Sequence, residues 1–591
     1  MWKVLLSLFI LFTIGRAALF FLNQSKPKGK FSYTEVALYS FSLGYAILTI
    51  IGVILAQFGL LIPPINIIVI TLIPVLPICF WIYKKRKKTS HYSQDFGGEG
   101  QLNQETSISK HGEFFSFSIK FSHIILLLIF AVGLFLRLET QLANPWLGDQ
   151  DPYYHLSFID SIVVQGTLPS RTFWGFYSYP PSFHVVFATL ISTIQVDRFL
   201  LMKLVPEFLG FLCVPAVYAL IKRKYSEWAG IASAAFLAIC SFHIYRTNIA
   251  IPEPIALLAM LMFFHAMTTQ KGTKKYLLAG VFASMVFLTN AIGIIYFIPS
   301  VASIFLVLLV LRRWNEALEY LKAMFIGIVL SGVFWLPTLS NLGLSGILEG
   351  LGPSLPFGLF SFTSRTYFSW IGWGACILAL VGLSACLRNF KDKDNIILII
   401  PPIFFVFLIE AGNNGYFIVD ALWVWRSLLF LGTWVALLAG VGVWRLMQTK
   451  RRKIAMTALT LMVFLTAVSF PALYWDRYPV NWGYDDADFY YRSYLDNYAD
   501  IFKDKNHMIY SADYWTFNYG AFNNVILPRE LPQMGEALLR NDTSVLIDLI
   551  KNYNIKYLIL FNGTQQADFL VQSNLAYTYY ENRITIVFAI K

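Results

Sequence analysis

The sequence predicts a polytopic α-helical membrane protein with a small exterior α/β domain at its C-terminus. Three observations carry that prediction. Hydrophobic residues fill 57% of the 591 positions and charged residues 14%, with a mean hydropathy of +0.59, whereas a soluble domain carries about 25% charged residues. The hydrophobic runs recur at about 17 to 25 residues, the length that takes a helix across a bilayer core. The basic residues gather beside the ends of those runs, at Lys84–Lys88, Lys222–Lys224, Lys274–Lys275, Arg312–Arg313 and Lys450–Lys453. That placement is the positive-inside signature, so the net charge of +12 does not point to nucleic acid. Backbone groups in lipid must be satisfied within their own segment, which makes helices the spanning element. The alternating pattern of an outer-membrane barrel is absent.

Spans and loop charges give one consistent topology. Three spans open the chain, near 4–22, 36–58 and 63–83. The first lacks a basic n-region beyond Lys3 and a small-residue cleavage site, so it reads as a span rather than a signal peptide. The third ends at Lys84–Lys88, which fixes the inside. Residues 84–120, rich in Ser, Gly and Gln, read as a cytoplasmic linker. A transmembrane core then fills 121–474. Its first span, near 121–138, runs outward and delivers an exterior loop, 139–197. The following spans lie near 200–221, 228–245, 254–268, 276–290, 292–311, 321–339, 369–388, 395–410, 424–446 and 454–473, and the basic clusters all land inside. The total is about fourteen. The five cysteines, Cys79, Cys213, Cys240, Cys376 and Cys386, fall in or at the ends of spans and read as small packing residues.

Within the exterior loop, Tyr179-Pro180-Pro181-Ser182-Phe183 opens an apolar stretch to Ile194 that is short for a crossing. Counted as a span, it would place Lys222–Lys224 outside. It is therefore expected to lie on, or dip into, the outer membrane surface. Residues 475–591 mix strands (Lys556–Phe561, Ile584–Phe588) with helix over about 534–553, a small α/β domain. No internal repeat of the inverted-repeat transporter kind is evident.

The candidate chemistry lies in the exterior loops. Gly148-Asp149-Gln150-Asp151-Pro152-Tyr153-Tyr154-His155 sets two carboxylates two residues apart in a turn shaped by Gly and Pro. Such a pair holds a hard divalent cation or serves as acid and base, and it is also met as plain loop charge. Tyr245-Arg246 through Glu253-Pro254 places Glu253 at the start of a returning span, where it faces the first loop or simply complements the helix dipole. Glu207 sits inside a span, as a functional group or as half of a Lys203–Glu207 neutralising pair. Arg426, at the outer end of a span, is placed to bind a lipid-linked phosphate or to snorkel. His155 and His184 read as polar loop residues sooner than as metal ligands. No P-loop, dinucleotide fingerprint, HExxH or GxSxG stands in a supporting context.

Asp151-Pro152-Tyr153-Tyr154-His155-Leu156 resembles the first-loop motif of GT-C superfamily glycosyltransferases, especially the archaeal oligosaccharyltransferase catalytic subunit and, more distantly, the protein mannosyltransferases. Arg246 through Glu253 is similar to the family's second-loop acidic motif. Tyr179-Pro180-Pro181 looks like its membrane-lying helix. The resemblance implies a GT-C-like core over 121–474 that binds a polyprenyl-phosphate-linked sugar from the outer leaflet. It implies Asp151 and Glu253 as the catalytic acids. It further implies Arg426 at the carrier phosphate, Glu349 (in Gly346-Ile347-Leu348-Glu349) as the fifth-loop acid, and Tyr153, His155 and Arg246 around the substrate. A divalent cation, Mg2+ or Mn2+, is the one cofactor admitted, with Asp149, Asp151 and Glu253 as its oxygen ligands. The oligosaccharyltransferase Trp-Trp-Asp-Tyr-Gly motif is missing; the nearest stretch, Thr516-Phe517-Asn518-Tyr519-Gly520, lacks the Asp. A GT-C enzyme moving one hexosyl or pentosyl unit to a lipid, glycan or protein is therefore the leading expectation. An oligosaccharyltransferase-like enzyme, a secondary transporter or flippase, and a receptor or assembly subunit are the alternatives.

Overall fold

A computed structural model describes residues 1–22, 31–72, 74–75, 121–143, 147, 150–169, 171–172, 175–176, 179–350, 364–413, 421–449, 457, 460–466, 500–501, 507–511, 525–526, 532–581 and 585–591. The predicted linker and the clusters at Lys84–Lys88 and Lys450–Lys453 lie outside these residues. So do Cys79 and the Thr516–Gly520 stretch.

The described chain begins with α1 (Trp2–Leu22), α2 (Tyr33–Gln57), α3 (Pro63–Leu72) and α4 (Phe121–Ala143). The loop that follows holds α5 (Gln150–Gln165), a two-residue hairpin of β1 (Arg171–Thr172) and β2 (Gly175–Phe176), and α6 (Ser182–Ile194). The core continues with α7 (Arg198–Phe211), α8 (Cys213–Lys222), α9 (Glu227–Ala238), α10 (Ser241–Thr247), α11 (Glu253–Thr269), α12 (Gly272–Thr289), α13 (Ala291–Val310) and α14 (Trp314–Gly350). It closes with α15 (Ser364–Ile371), α16 (Trp373–Arg388), α17 (Lys393–Asn413) and α18 (Ala421–Met447). Among the described residues, 8 helices are long and apolar enough to cross a membrane, or 9 if the pair α9–α10, bent by 64°, is one span. The predicted spans fall on helices wherever they are described, several of them shorter than the length test requires.

The two ends of the bundle differ in their charged residues. In α11, Glu253 opens the helix, and His265 lies about 18 Å further along at 1.5 Å per residue. His265 Nε2 is 3.3 Å from Glu35, which pairs with Arg223 at 2.8 Å. Around that end, Lys224 meets Asp392 at 2.8 Å and Lys275 meets Glu319 at 2.7 Å, while Arg313 meets Glu316 and the Lys391 carbonyl. The three predicted inner clusters that are described therefore lie at one end of the bundle, each paired with an acid, and Glu253 lies at the other.

Packing inside the bundle relies on small residues and on neighbours that repair proline breaks. A Cβ on Gly15 of α1 would stand 1.7 Å from the Ser40 carbonyl oxygen, and one on Gly44 of α2 would stand 1.8 Å from that of Leu11. The two backbones touch through mutually placed glycines, as small-residue interfaces in membranes do. Gly44→Ala should therefore split this hairpin, costing about 1–3 kcal/mol as overpacking does, and a thermal-unfolding midpoint unchanged from wild type would contradict the close approach. Pro337 and Pro401 lack the N–H that would bond the fourth residue before them. Those two carbonyls find donors on other helices: Gln57 Nε2 donates to Val333 O at 2.6 Å, and Trp434 Nε1 to Ile397 O at 3.0 Å.

Four expectations are corrected. The helix expected at the membrane surface, α6, is buried inside the protein between α5 and α2, with Ser182 and His184 at 0% exposure. Its all-round apolar sequence suits a core helix as well as a bilayer surface, and Thr49 of α2 bonds Ser182 at 2.7 Å. The span expected near 228–245 is the bent pair α9–α10. The exit expected after about residue 339 is still helical to Gly350, with a break at Gly343 (φ 66°, ψ 179°). The helix expected over 534–553 is two, α19 (Pro532–Leu539) and α20 (Thr543–Asn552), because Asn541 takes a left-handed turn (φ 56°) between them. Glu207, for which two readings stood open, is buried with neither carboxylate oxygen hydrogen-bonded among the described residues.

The C-terminal region is a five-stranded sheet in the order β4-β3-β5-β7-β6. Its strands are β3 (Met508–Ser511), β4 (Val525–Ile526), β5 (Ile555–Phe561), β6 (Ala576–Glu581) and β7 (Thr585–Ile590). The first three are parallel and the last two antiparallel, with α21 (Gln565–Ser573) crossing between β5 and β6. This is the expected α/β domain.

Candidate active site

At the end of the bundle opposite the basic clusters, four charged side chains from four helices meet. Asp151 lies in the first turn of α5, not in the open turn its Gly and Pro neighbours suggested, and Pro152 follows it, where proline's missing N–H costs nothing. Glu253 opens α11, again followed by proline. Arg246 lies in the last turn of α10. Acids at helix starts and a base at a helix end are the placements the helix dipole favours. Arg426 comes from the first turns of α18.

The four form a chain of ion pairs. Arg246 donates from Nε (3.1 Å) and Nη2 (2.8 Å) to Oε2 of Glu253. Arg426 Nη1 lies 3.0 Å from the other oxygen of Glu253, and its Nη2 donates to Oδ2 of Asp151 at 3.1 Å. Two carboxylates and two guanidiniums cancel, which is what permits such charge at this depth. Side-chain exposure separates their roles: Glu253 keeps 1% and Arg246 4%, against 20% for Arg426 and 40% for Asp151. The inner pair is enclosed, and the outer pair faces whatever enters. Burial pushes the Asp151 carboxyl up, but Arg426, then Arg246 and His155, outweigh it and hold it below its ordinary value. Asp151 is thus an ionised carboxylate with one oxygen committed. Its Oδ1 takes no partner among the described residues.

A polar aromatic shell backs the network. His155, one turn after Asp151 on the same face of α5, places Nδ1 2.9 Å from Nε2 of His184 on α6. The Tyr179 ring centroid lies 5.7 Å from both imidazoles, and its hydroxyl accepts from Asn290 Nδ2 at 2.8 Å. Asn290 in turn caps α13, its Oδ1 accepting from Gly293 N at 2.9 Å. Burial pushes the His155 imidazole down to about 4, with Arg426 and Arg246 adding to the fall and Asp151 opposing it. A histidine that is neutral when folded and protonated when unfolded binds more protons in the unfolded state between about pH 4 and 6.5, so stability falls as pH drops through that window. The thermal midpoint should decline there by the equivalent of about 3 kcal/mol at most, at 1.36 kcal/mol per unit. His155→Asn should flatten the decline, and an equally steep decline in that variant would refute the assignment.

Of the residues singled out from sequence, Asp151, Glu253, Arg246, Arg426 and His155 come together. Asp149 lies outside the described residues. Tyr153 is placed on α5 and Glu349 near the end of α14, but their side chains lie outside the description. Tyr179, His184 and Asn290 were not recognised as site residues. Asn290 carried a usable signal, a capping residue directly before an apolar run. As for the expected metal set, both Glu253 oxygens and one of Asp151 are taken by guanidiniums. Among the described residues no three His, Cys, Asp or Glu side chains group as metal ligands. Asp151 Oδ1 is the oxygen that fits a cation without displacing an arginine.

Comparison with known proteins bears on the fold that carries this arrangement. The profile of the dolichyl-phosphate-mannose-protein mannosyltransferases matches residues 179–335, the stretch from Tyr179 into α14. The crystal structure of the Archaeoglobus fulgidus oligosaccharyltransferase superposes with a TM-score of 0.54 at 10% identity, covering 80% of this chain and 75% of that one. ArnT from Cupriavidus metallidurans superposes at 0.51 and 11% identity, covering 79% of this chain and 97% of that one. The chain has the GT-C fold. Dolichyl-phosphooligosaccharide-protein glycotransferase 1 of Pyrococcus furiosus is 23% identical over 320 residues, half of this chain and 30% of that protein. The matched part therefore spans less than a third of the relative's length. The Archaeoglobus enzyme has also been solved with an inhibitory peptide and a dolichol-phosphate (TM-score 0.51) and with Zn and sulfate (0.50). The ion-pair chain here joins α5, the turn from α10 into α11, and α18.

Proposed function

We propose that this multi-pass membrane protein is a glycosyltransferase that moves a hexosyl or pentosyl unit from a polyprenyl-phosphate carrier to an acceptor hydroxyl on lipid, glycan or protein. The observation that carries the reading is the convergence of Asp151, Arg426 and Glu253 at the outer end of the bundle. Among the described residues, Arg426 keeps Nε–H and the second hydrogens of Nη1 and Nη2 for a phosphate, the bidentate geometry a guanidinium offers. Asp151 Oδ1 takes the proton of the acceptor hydroxyl, whose oxygen attacks the anomeric carbon. The bond from that carbon to the phosphate oxygen breaks, the phosphate keeps the electron pair, and the sugar is inverted. Glu253 serves by anchoring both guanidiniums. Were Mg2+ or Mn2+ bound, Asp151 Oδ1 and Asp149 would hold it in preference to Glu253, and it would add charge neutralisation at the leaving phosphate. The site is assigned to the exterior face, because the described basic clusters gather at the other end, and the C-terminal domain to the same face, because it follows a last predicted span that runs outward.

The oligosaccharyltransferase-like reading has the Pyrococcus relative in its favour, and the missing Trp-Trp-Asp-Tyr-Gly motif against it. The test is transfer from a panel of radiolabelled polyprenyl-phosphate sugars by the purified protein in proteoliposomes. Release of the sugar from its carrier by wild type supports the proposal. Carrier movement between leaflets with no release would replace it with a flippase, and oligosaccharide transfer to a sequon peptide would replace it with the second reading.

A further inference from the structure

We infer that Arg137, a fully buried arginine of α4, is a positioning residue that sets the helix carrying Arg246. The inference rests on the reading of Asp151 and Arg246 as site residues. Arg137 lies near one end of a candidate span, where a charge is expensive unless it has a task. Its side chain reaches the bend between α9 and α10. Nη1 donates to Gly133 O (2.7 Å) and Ala238 O (3.2 Å), and Nη2 to Leu237 O (3.3 Å). Leu237 and Ala238 lie in the last turn of α9, where the chain turns by 64° and the helical ladder runs out; the Leu237 carbonyl also takes the Cys240 N–H at 3.3 Å. Nη2 also lies 2.8 Å from Nδ1 of His243 on α10, which therefore accepts. One guanidinium thus stabilises the break and grips the segment beyond it.

The rest of the same α4 face completes the grip. Gly133 lets α4 come close: a Cβ there would stand 3.2 Å from the Ala238 Cβ. Gln141, one turn past Arg137, donates to Asn248 O, and Asn248 Nδ2 returns a bond to Leu136 O at 3.3 Å. The seven-residue α10 is too short to hold its own direction, yet it is fixed at His243 and again at Asn248, on either side of Arg246. That direction aims Arg246 at Oε2 of Glu253, leaving Oε1 for Arg426, which holds Asp151. A small misplacement at the start of this chain of contacts reaches the reacting carboxylate.

The test compares wild type, Arg137→Met, Arg137→Lys and His243→Ala in the sugar-transfer assay, with kcat and donor KM separated and thermal midpoints measured alongside. Arg137→Met should lose about 100-fold in kcat/KM, the scale a misplacement of about 1 Å produces. The loss should fall on kcat, with donor KM little changed, because Arg426 still meets the phosphate. His243→Ala leaves the carbonyl contacts in place and should show the same loss in kcat at a smaller size. Lysine, able to reach one carbonyl at a time, should restore part of the activity. An unchanged kcat in both Arg137→Met and His243→Ala would overturn the inference, whatever happens to the midpoints, as would a loss confined to KM. Should Asp151→Ala keep full transfer, the reading of the site itself falls, a result the Arg137 variants cannot mimic.

Discussion

Asp151→Asn should lower kcat for sugar transfer by about 10²- to 10⁴-fold, the range a positioned general base contributes, without weakening donor binding. The side chain keeps its shape, and asparagine Oδ1 can still accept from Arg426. What is lost is the ability to take a proton and the negative charge. Removing that charge leaves Arg426 with one carboxylate, Glu253, so the guanidinium becomes a better receptor for the carrier phosphate. KM for the donor should therefore stay level or fall while kcat collapses. A structural role would give the opposite pattern, with both parameters and the thermal midpoint moving together. The measurement is steady-state transfer from the donor that wild type uses, with carrier-phosphate binding followed separately by its protection against thermal unfolding. Full transfer by the asparagine variant would remove Asp151 from the chemistry. Loss of transfer together with loss of carrier binding would recast it as part of the phosphate site.

How much of this was legible in the sequence follows from what each signal depends on. Span positions and their polarity depend on local composition and the bias of Lys and Arg, and both survive in the bundle: Arg223, Lys224, Lys275 and Arg313 meet at one end. The convergence of Asp151 with Glu253 was inferable from topology, since both stood at the outer ends of neighbouring spans. Topology could not show that Arg426 lies between them, because that contact joins residues 275 positions apart. Nor could it show that Glu253 is spoken for on both oxygens. The burial of α6 was misread for a related reason. Ser182–Ile194 is apolar on all sides, and it is α2 and α5, packed against it, that make its surroundings protein rather than lipid. Arg137 carried a plain signal, a charge inside a hydrophobic run, that went unused beside the motif-bearing acids. The break it serves, between Ala238 and Ser241, leaves little trace in a sequence that is apolar on both sides.

Arg426→Gln should have the second large effect, and in a different parameter. Among the described residues, Arg426 is the one side chain paired with both acids, at 3.0 Å and 3.1 Å. Its loss leaves Oε1 of Glu253, enclosed at 1% exposure, facing Asp151 with no cation between them. Removing one partner of a buried pair costs about 3–5 kcal/mol. Here the lower end applies, because Asp151 is 40% exposed and water screens it, and because Arg246 still holds Glu253. The carrier phosphate loses its bidentate donor, so KM for the donor should rise by about 100-fold, the weight of two charge-assisted hydrogen bonds at roughly 1.5 kcal/mol each. The sign of the pH effect is fixed as well. Arg426 is the strongest of the groups holding Asp151 below its ordinary value, so without it the carboxyl protonates at higher pH, and the acid limb of kcat/KM moves upward. Arg426→Lys separates the two tasks. An ammonium can supply charge but not a fork that spans both acids and a phosphate, so the acid limb should recover further than KM does. If glutamine leaves KM unchanged and only the midpoint falls, Arg426 is a structural counter-ion for the acids, and the carrier phosphate must be held elsewhere in the outer cavity.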